Sequence, residues 1–227
     1  MFITIRRITL TLILFFNIFG IYAQESDKIV RALKIENKLL IDGILSESEW
    51  NRATLIDEFI VKDPLEGAIP KEQTEVKLLY NQKNFYIGIR VFKDPDSIRA
   101  YVSRRDNMGN SERIVISLDT YNDNNTSYSF AITASGVRAD YYHSTDNEYD
   151  RDYNYNPVWQ GKSMIDSLGW SAEIEIPFHQ LRFNDENIQV WGLNMNHYTP
   201  TIKEDKYWVL IKKMRKGGRQ DLVIFLA

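Results

Sequence analysis

The sequence feature that most constrains the fold is a group of three strand-like segments in the middle of the chain. Arg113–Thr120, Tyr128–Ala134 and Val137–Tyr142 are rich in β-branched and aromatic residues and alternate apolar with polar side chains. This period of two is typical of half-buried strands. The polar loop Tyr121–Ser127 and the turn at Gly136 separate them, since both are built from turn-forming residues. We therefore expect a three-stranded meander.

Further strand-like segments occur on both sides of this meander. Glu75–Tyr80 and Phe85–Phe92 form the clearest hairpin, with Val76, Leu78 and Tyr80 expected on one face. No alternation of strands with long helices occurs, so the pattern predicts an all-β fold, an antiparallel, jelly-roll-like β-sandwich. The other predicted strands are Ala32–Ile35, Leu39–Ile41, Phe59–Val61, Val158–Ile165, Gly169–Ile176, Val190–Tyr198, Tyr207–Ile211 and Leu222–Phe225.

One short helix is predicted near the N-terminus. Ser46, with Glu49 three residues later, has the spacing of a capping box, and the helix is expected to run through Trp50 to about Ala53. Trp50 falls on the apolar side of this helix together with Leu45 and Ala53. We therefore expect Trp50 to pack under a sheet rather than to contact a ligand.

The first residues have the pattern of a secretory signal peptide. Arg6 and Arg7 precede the apolar run Ile8–Tyr22, and polar sequence begins at Gln24. The alternative is an uncleaved N-terminal anchor. Either way we expect the body of the protein to be exported. We assign residues 1–23 to a signal peptide and residues 24–227 to one domain.

Charge and cysteine content exclude several classes of function. The chain has 28 Lys and Arg against 31 Asp and Glu, a net charge of −3. Without a basic stripe to neutralise phosphates, nucleic acid is not an expected partner. The absence of cysteine excludes disulfides, thiolate metal sites and cysteine nucleophiles. An exported protein without disulfides is compatible with a bacterial envelope.

Several motifs, in order, resemble those of family 9 carbohydrate-binding modules. The opening motif is Leu40-Ile41-Asp42-Gly43-Ile44-Leu45-Ser46-Glu47-Ser48-Glu49-Trp50. The later ones are Thr74–Tyr80 with Phe85–Ile89, Arg104–Asp106, Ser117–Thr120 with Asp123, Gly169–Phe178, Leu181–Phe183 and Trp191–Asn194.

Within that family the sequence is most similar to the N-terminal domain of large Bacteroidetes envelope proteins, in which a β-rich region follows that is thought to be an outer-membrane barrel. The resemblance implies a β-sandwich, saccharide binding, and calcium in some members. It also implies a link to polysaccharide breakdown such as that of xylan, a place in the periplasm or at the cell surface of a Gram-negative bacterium, and an envelope or barrel partner.

The residues themselves indicate where a mono- or oligosaccharide could be held. A sugar needs a flat aromatic ring and hydrogen-bonding groups for its hydroxyls. Tyr153, Tyr155 and Trp159 lie in or beside His143–Pro157, a long segment without apolar periodicity, and such loops are commonly functional. We predict that these three residues contact the sugar, with the alternative that Trp159 packs inward at the start of a strand.

Two neighbouring arginines complete the predicted sugar site. Arg104 and Arg105, followed by Asp106, offer charge-assisted donors and an acceptor. The alternative for Arg104 is an ion pair with an acidic loop.

Oxygen-rich loops are the only candidates for a metal site. Carboxylate and amide oxygens are the ligands that Ca²⁺ prefers, and the alternative for each loop is a solvated turn. The first loop offers Asp119, Asn122, Asp123 and Asn124, and the second offers Asp146, Glu148, Asp150 and Asp152.

Catalysis is a rival interpretation that the sequence supports poorly. A glycosidase needs two carboxyl groups about 5–9.5 Å apart. Asp119 with Asp140 is one possible pair, and Glu173 with Glu175 is another, although the alternation of the GWSAEIEIP segment places these glutamates on a polar, solvated face. No common catalytic motif occurs. We therefore expect a binding module that is not an enzyme. A third interpretation is a docking module without a sugar ligand, which an exposed apolar patch would favour.

Overall fold

The computed structural model describes residues 28–147 and 149–210 and the backbone of 223–226. The predicted signal peptide lies outside these residues. Within the described part, no helix is long and apolar enough to cross a membrane. The strands are β1 Ile29–Arg31, β2 Leu33–Lys34, β3 Ile60–Asp63, β4 Gln73–Tyr80, β5 Asn84–Phe92, β6 Arg113–Asp119, β7 Ser127–Thr133, β8 Arg138–His143, β9 Gln160–Asp166, β10 Gly169–Pro177, β11 Gln189–Thr199, β12 Glu204–Tyr207 and β13 Val223–Leu226.

These strands form two sheets that face each other. The five-stranded sheet has the order β2-β4-β5-β10-β9, and the eight-stranded sheet has the order β1-β13-β11-β6-β7-β8, with β12 between β11 and β3. All pairings are antiparallel except β1 with β13 and β2 with β4. The predicted all-β antiparallel sandwich is confirmed, as is the meander β6-β7-β8.

The core lies between the sheets and is built by alternate residues of each strand. Val76, Leu78 and Tyr80 all belong to it, as the alternation of the hairpin predicts. Trp170 and Trp191 are fully buried there. The two sheets therefore share one continuous apolar layer.

Several predicted elements differ from the structure. The one α-helix of the described residues, α1, spans Ser48–Arg52, and its N-cap is Glu47 without a side-chain cap bond, so the predicted capping box at Ser46 is wrong. Leu39–Ile41 is not a strand. The predicted strand Tyr207–Ile211 instead ends at Tyr207 and begins earlier.

The early end of β12 has a local cause. The Asn194 side chain donates to the Val209 carbonyl and accepts from its amide, both at 3.2 Å. A side chain thus replaces the backbone pairing that would have continued the strand. Ile211, the predicted last residue, lies outside the described residues.

The N-terminal strap, residues 36–55, covers the outer face of the five-stranded sheet. Trp50 is buried there with Leu79 and Tyr86, as predicted. Gly88 makes this packing possible, because a Cβ at that position would lie 2.8 Å from atoms of both Leu45 and Trp50. The strap therefore covers the part of this outer face around Trp50.

A buried carboxylate fixes the strap to the sheet. One oxygen of Glu173 accepts from the amides of Asp42 and Gly43, both at 3.0 Å, and the other accepts from the Trp50 indole at 3.1 Å. Glu173 and Glu175 are both buried, so the prediction that they are solvated is wrong. The alternation placed them on the correct face, but the strap removes that face from water.

Burial also changes the chemistry of Glu173. It raises the pKa of this carboxyl to about 7, with a further contribution from the nearby charge of Glu47, while the three donors act in the opposite direction. The strap is therefore held by a group that changes charge near neutral pH.

A second set of charged groups is buried between the sheets. The Lys93 ammonium lies 2.6 Å from Glu112 and 3.1 Å from Glu72, and Lys206 lies 3.6 Å from Glu204. The Trp170 indole and His197 also contact Glu112, at 2.6 and 3.4 Å. Such buried charges are tolerated only when paired and hydrogen-bonded, as they are here.

Candidate functional site

The outer face of the eight-stranded sheet has a floor of small side chains. Val115, Ala131 and Ala139 lie directly opposite one another on β6, β7 and β8, and Asn196 lies opposite Val115 on β11. All point away from the core because the residues between them, such as Ile132, point into it. This floor has room above it for a second layer of side chains.

Tyrosine and arginine side chains form the second layer on the β8 side. Tyr141 packs on the floor with Met108. The Arg151 guanidinium lies over the Tyr141 ring at 4.9 Å, and the Tyr153 ring is 5.5 Å from that of Tyr141 between centroids. Tyr153 is 48 % exposed, whereas Tyr141 is only 3 % exposed.

The loop that carries Arg151 and Tyr153 is anchored to β8. The backbone of Asp152 pairs with that of Tyr142 in both directions, at 2.8 and 3.0 Å. This bridge fixes the residues on either side of Asp152 above the sheet. The long unpatterned segment is therefore ordered where it meets the floor.

The β11 side carries a second stack of the same kind. The Arg113 guanidinium lies over the Tyr198 ring at 4.5 Å, and the Lys62 ammonium lies over the Tyr207 ring at 5.0 Å. Asn196 donates to the Asp205 carboxylate between them. We call the surface formed by the β8 side and the β11 side together the tyrosine-arginine face. Its members are Arg113, Tyr141, Arg151, Tyr153, Asn196, Tyr198, Asp205 and Tyr207.

Electrostatic interactions connect the two sides of this face. Burial alone would lower the pKa of Arg151, but Tyr141, Tyr153 and Tyr207 together raise it above its usual range. Burial lowers the pKa of Arg113, and the charge of Arg151 lowers it further, while Asp205 opposes the change. The two guanidiniums are therefore close enough to influence each other.

The groups on this face are those that hold a polyhydroxylated ligand. Tyrosine rings offer apolar surfaces with a polar tip, and guanidinium and amide groups supply directional donors. Arg151 and Tyr153 are exposed, and Arg113, Asn196 and Tyr198 are half-buried. The face can therefore contact a ligand while its second layer stays packed on the floor.

The structure separates the five residues predicted to bind sugar. Tyr153 belongs to the tyrosine-arginine face. Arg104 is exposed in a neighbouring loop whose Asp106 amide donates to the Arg138 carbonyl on β8 at 2.9 Å. The other three, Arg105, Tyr155 and Trp159, lie on the core side of the sheet.

The structure places Trp159 in the interior and not at the predicted sugar site. It is 2 % exposed, its ring packs edge-on against Phe130, and its indole donates to Asp140 at 2.8 Å. Arg105 bonds to the same carboxylate and to the Pro157 carbonyl. The inward packing weighed as the alternative for Trp159 is what the structure shows, because Asp140 gives the indole a buried partner.

Tyr155 is also directed inward. Its ring lies 5.0 Å from that of Tyr128, and its hydroxyl donates to the Gln180 carbonyl at 2.9 Å. Burial raises the pKa of this hydroxyl. Tyr155 therefore supports the interior under the loop and offers no free ring face to a ligand.

Sequence reasoning missed most of the tyrosine-arginine face because it searched for site residues in loops. Except for Arg151, which lies in the same loop as Tyr153, the missed residues are on regular strands, and their signal was the same alternation that located the core. Tyr141 is two residues from Ala139, so it shares the outward side, and Arg113 is two residues from Val115. A comparison of the aromatic and basic residues on the outward side of each predicted strand could have identified Tyr141 and Arg113 as candidates.

The predicted calcium ligands are engaged within their own loop. Asp119 accepts from the amides of Asp123 and Asn124, at 3.2 and 2.8 Å, and Asp123 accepts from Asn125 and Thr126. Among the described residues, no three carboxylate or imidazole side chains are grouped as a metal site requires. In the second loop, Glu148 lies outside the described residues. The loops thus have the hydrogen bonding of turns, Asn122 has a left-handed backbone with a φ of 51°, and calcium stays a prediction from the resemblance.

Neither carboxylate pair considered for catalysis forms a cleft. Asp119 lies opposite Gly192 on the outer face, whereas Asp140 lies opposite Phe130 and faces the core. Glu173 is bonded to the strap, as described above. The two candidate pairs therefore do not present two carboxyl groups to one substrate.

Comparisons with known proteins find solved structures with a similar architecture. No family model and no curated protein matches the sequence. A family 9 carbohydrate-binding module (CBM9) from Caldicellulosiruptor kristjanssonii in complex with cellotriose matches the structure with a TM-score of 0.61 at 13 % identity, over 87 % of this chain and 93 % of that one. The glucose complex of a CBM9 from the same organism gives 0.60 at 14 % identity, over 87 % and 95 %.

A third solved structure extends the comparison. A candidate carbohydrate-binding protein from Bacteroides uniformis matches with a TM-score of 0.66 at 14 % identity, over 88 % of this chain and 100 % of that one. The protein is thus a two-sheet β-sandwich of the class that includes carbohydrate-binding modules. More specifically, its fold is CBM9-like, and the predicted resemblance is confirmed at the level of the fold.

Proposed function

We propose that this protein is a non-catalytic saccharide-binding module and that the tyrosine-arginine face holds the sugar. The observation that carries the proposal is the convergence of Tyr153, Tyr198 and two guanidiniums on one outer face of a CBM9-like sandwich. Aromatic rings would contact the apolar side of the sugar ring, and the guanidinium and amide groups would bond its hydroxyls.

The solved neighbours support this assignment. Two of them are carbohydrate-binding modules with cellotriose and with glucose. Their identity to this chain is low, so they support the class of ligand and not the choice of sugar. A role in polysaccharide use, including xylan, and a place in the bacterial envelope follow from the resemblance and from residues 1–23, and they form part of the proposal.

Calorimetric titration of the purified protein with glucose, cellotriose, xylotriose and acidic oligosaccharides would test the proposal. We expect saturable heat with at least one of them. Tyr198→Ala and Tyr153→Ala should each weaken binding by about tenfold, since a lost ring contact costs on the order of 1 kcal/mol. Tyr121→Ala is the matched control, because Tyr121 is 40 % exposed in the loop after β6, outside the face.

The docking alternative has one observation in its favour. A groove of about 420 Å³ lies on the outer face of the five-stranded sheet. Its lining includes the apolar residues Ile44, Met164 and Leu168, which are 43 to 60 % exposed. A folded protein that binds no saccharide in the titration would contradict the proposed function and favour docking to another envelope protein.

A further inference from the structure

We propose that the tyrosine-arginine face selects an acidic saccharide, one whose sugar units carry carboxylate groups, and that Arg113 and Arg151 receive a carboxylate. This inference rests on the proposed function and names its class of ligand. It goes beyond the solved neighbours, whose sugars, cellotriose and glucose, are neutral.

The first observation that supports an anionic ligand is the environment of Arg113. Within the described part of the chain, no carboxylate lies within ion-pair distance of its guanidinium, which makes one long bond of 3.4 Å to the Ser111 carbonyl. The nearby carboxylate, Asp205, is bonded to Asn196. Arg113 is half-buried, so its positive charge has lost part of its hydration without gaining a close negative partner.

Arg90 and Arg105 differ from Arg113 in this respect. Arg90 binds both oxygens of Asp166, at 2.6 and 2.7 Å, and Arg105 binds Asp140. At these two positions the guanidinium is paired directly with a carboxylate. At Arg113 the ring of Tyr198 takes that place, and the edge of the guanidinium is left for a ligand.

Cationic side chains on and beside the face support an anionic ligand. Arg113 and Arg151 belong to the face and Lys62 lies over its Tyr207 ring, with Asp205 and Asp63 among the neighbouring carboxylates. Burial also raises the pKa of Asp205 despite its Asn196 bond. Three cationic side chains are thus brought together on a protein whose net charge is −3.

The geometry fits a chain of sugars better than an isolated anion. Tyr141 on β8 and Tyr198 on β11 are separated by the widths of β7 and β6. Neighbouring strands are about 4.8 Å apart, so the backbones of these two tyrosines are about 14 Å apart across the sheet, and the register offsets them by four more residues, about 13 Å, along the strands. A short oligosaccharide can reach both stacks, with a carboxylate at a guanidinium and sugar rings against tyrosine. Guanidinium and carboxylate then form the paired hydrogen bonds that arginine favours.

The test compares an acidic oligosaccharide with its own neutral form. Trigalacturonate and its fully methyl-esterified counterpart would be titrated into the purified protein at low and at high salt. We expect the acid to bind about tenfold or more tightly at low salt, because a bond to a charged group contributes about 1.5–3 kcal/mol. The preference should shrink at high salt, since exposed charges are screened.

Two variants assign the preference to this face. Arg113→Gln and Arg151→Gln should each reduce the affinity for the acid about tenfold while changing that for the ester less than threefold. Arg90→Gln removes the same charge from the opposite sheet and should leave both affinities unchanged. Arg113→Lys, which keeps the charge but not the forked geometry, should recover part of the loss, and circular dichroism would show that each variant is folded.

The outcomes separate this inference from the proposed function. Equal binding of acid and ester, or tighter binding of neutral cellotriose, would overturn the inference and leave saccharide binding in place. An equal loss in Arg90→Gln, or no loss in folded Arg113→Gln and Arg151→Gln, would also overturn it. A folded protein that binds none of these sugars would contradict the proposed function as well.

Discussion

The outer faces of the two sheets share one structural feature but differ in what covers it. Each has small residues that admit a second layer of side chains: Gly88 makes room for Trp50 on the five-stranded sheet, and Ala131 and Ala139 make room for Tyr141 on the eight-stranded sheet. On the first sheet the second layer ends in buried hydrogen bonds to Glu173. On the second it ends in exposed or half-exposed tyrosine and arginine.

This difference indicates how the protein divides stability from recognition. A face covered by the chain's own strap contributes apolar burial and has little left to offer a ligand. A face whose outermost groups are polar and partly exposed contributes less to folding and retains hydrogen-bonding capacity. Substitutions on the two faces should therefore change different quantities.

The largest expected effect is on the covered face. Trp50→Ala should lower the free energy of unfolding by about 3–5 kcal/mol, because it opens a cavity and removes one donor from buried Glu173. Tyr153→Ala on the other face should cost less than about 1 kcal/mol, since its ring is 48 % exposed. Urea unfolding measures both, and similar losses would contradict the comparison.

The next effect depends on pH. Glu173 has a folded pKa of about 7 against an ordinary value of 4.5, so the folded state holds its proton more tightly than the unfolded state does. The free energy of unfolding should therefore fall as the pH rises from about 4.5 to about 7, by at most about 3 kcal/mol.

Glu173→Gln should remove this pH-dependent decrease, and Glu36→Gln, at an exposed position of the strap, should keep it. Urea unfolding at several pH values gives the slopes. Parallel slopes for the native protein and Glu173→Gln would show that Glu173 does not titrate in this range.

A methyl group at Gly88 should have a smaller effect. Gly88→Ala places a Cβ 2.8 Å from Trp50 and Leu45, so the strap must shift, and we expect a loss of about 1–3 kcal/mol. Leu40→Ala, at an exposed position of the strap, is the control. Unchanged stability in Gly88→Ala would mean that the strap is not held closely against the sheet.

The smallest effect on stability should come from Arg113. Its stack on Tyr198 is worth about 0.5–1 kcal/mol, so Arg113→Gln should lower the melting temperature by only a few degrees while it weakens acidic ligands. A large loss of stability without a change in binding would mean that Arg113 belongs to the structural part of the molecule.

The sequence was most informative where one local pattern determined the result. Alternation placed Val76, Leu78 and Tyr80 in the core, since a strand with one apolar face has only one way to bury it. The same rule placed Glu173 on the outer face, but it could not reveal the strap, because that contact joins residues about 130 positions apart.

The candidate site was harder to predict for a related reason. Arg113, Tyr141 and Tyr198 lie on three different strands and meet only when the register of the sheet is known. Trp159 was misjudged because it follows a long segment without apolar periodicity, whereas its burial depends on Asp140 from another strand. Pairwise strand register is the information that a single sequence lacked.

The parallel pairing of β1 with β13 has a mechanical consequence. These strands come from opposite ends of the described chain and lie side by side, with Ile29 opposite Val223 and Arg31 opposite Phe225. Tension between Lys28 and Leu226 would pull the two strands in opposite directions along their length. Their backbone bonds would be loaded together in shear rather than opened one after another, so the junction of the two ends would act as a clamp against stretching.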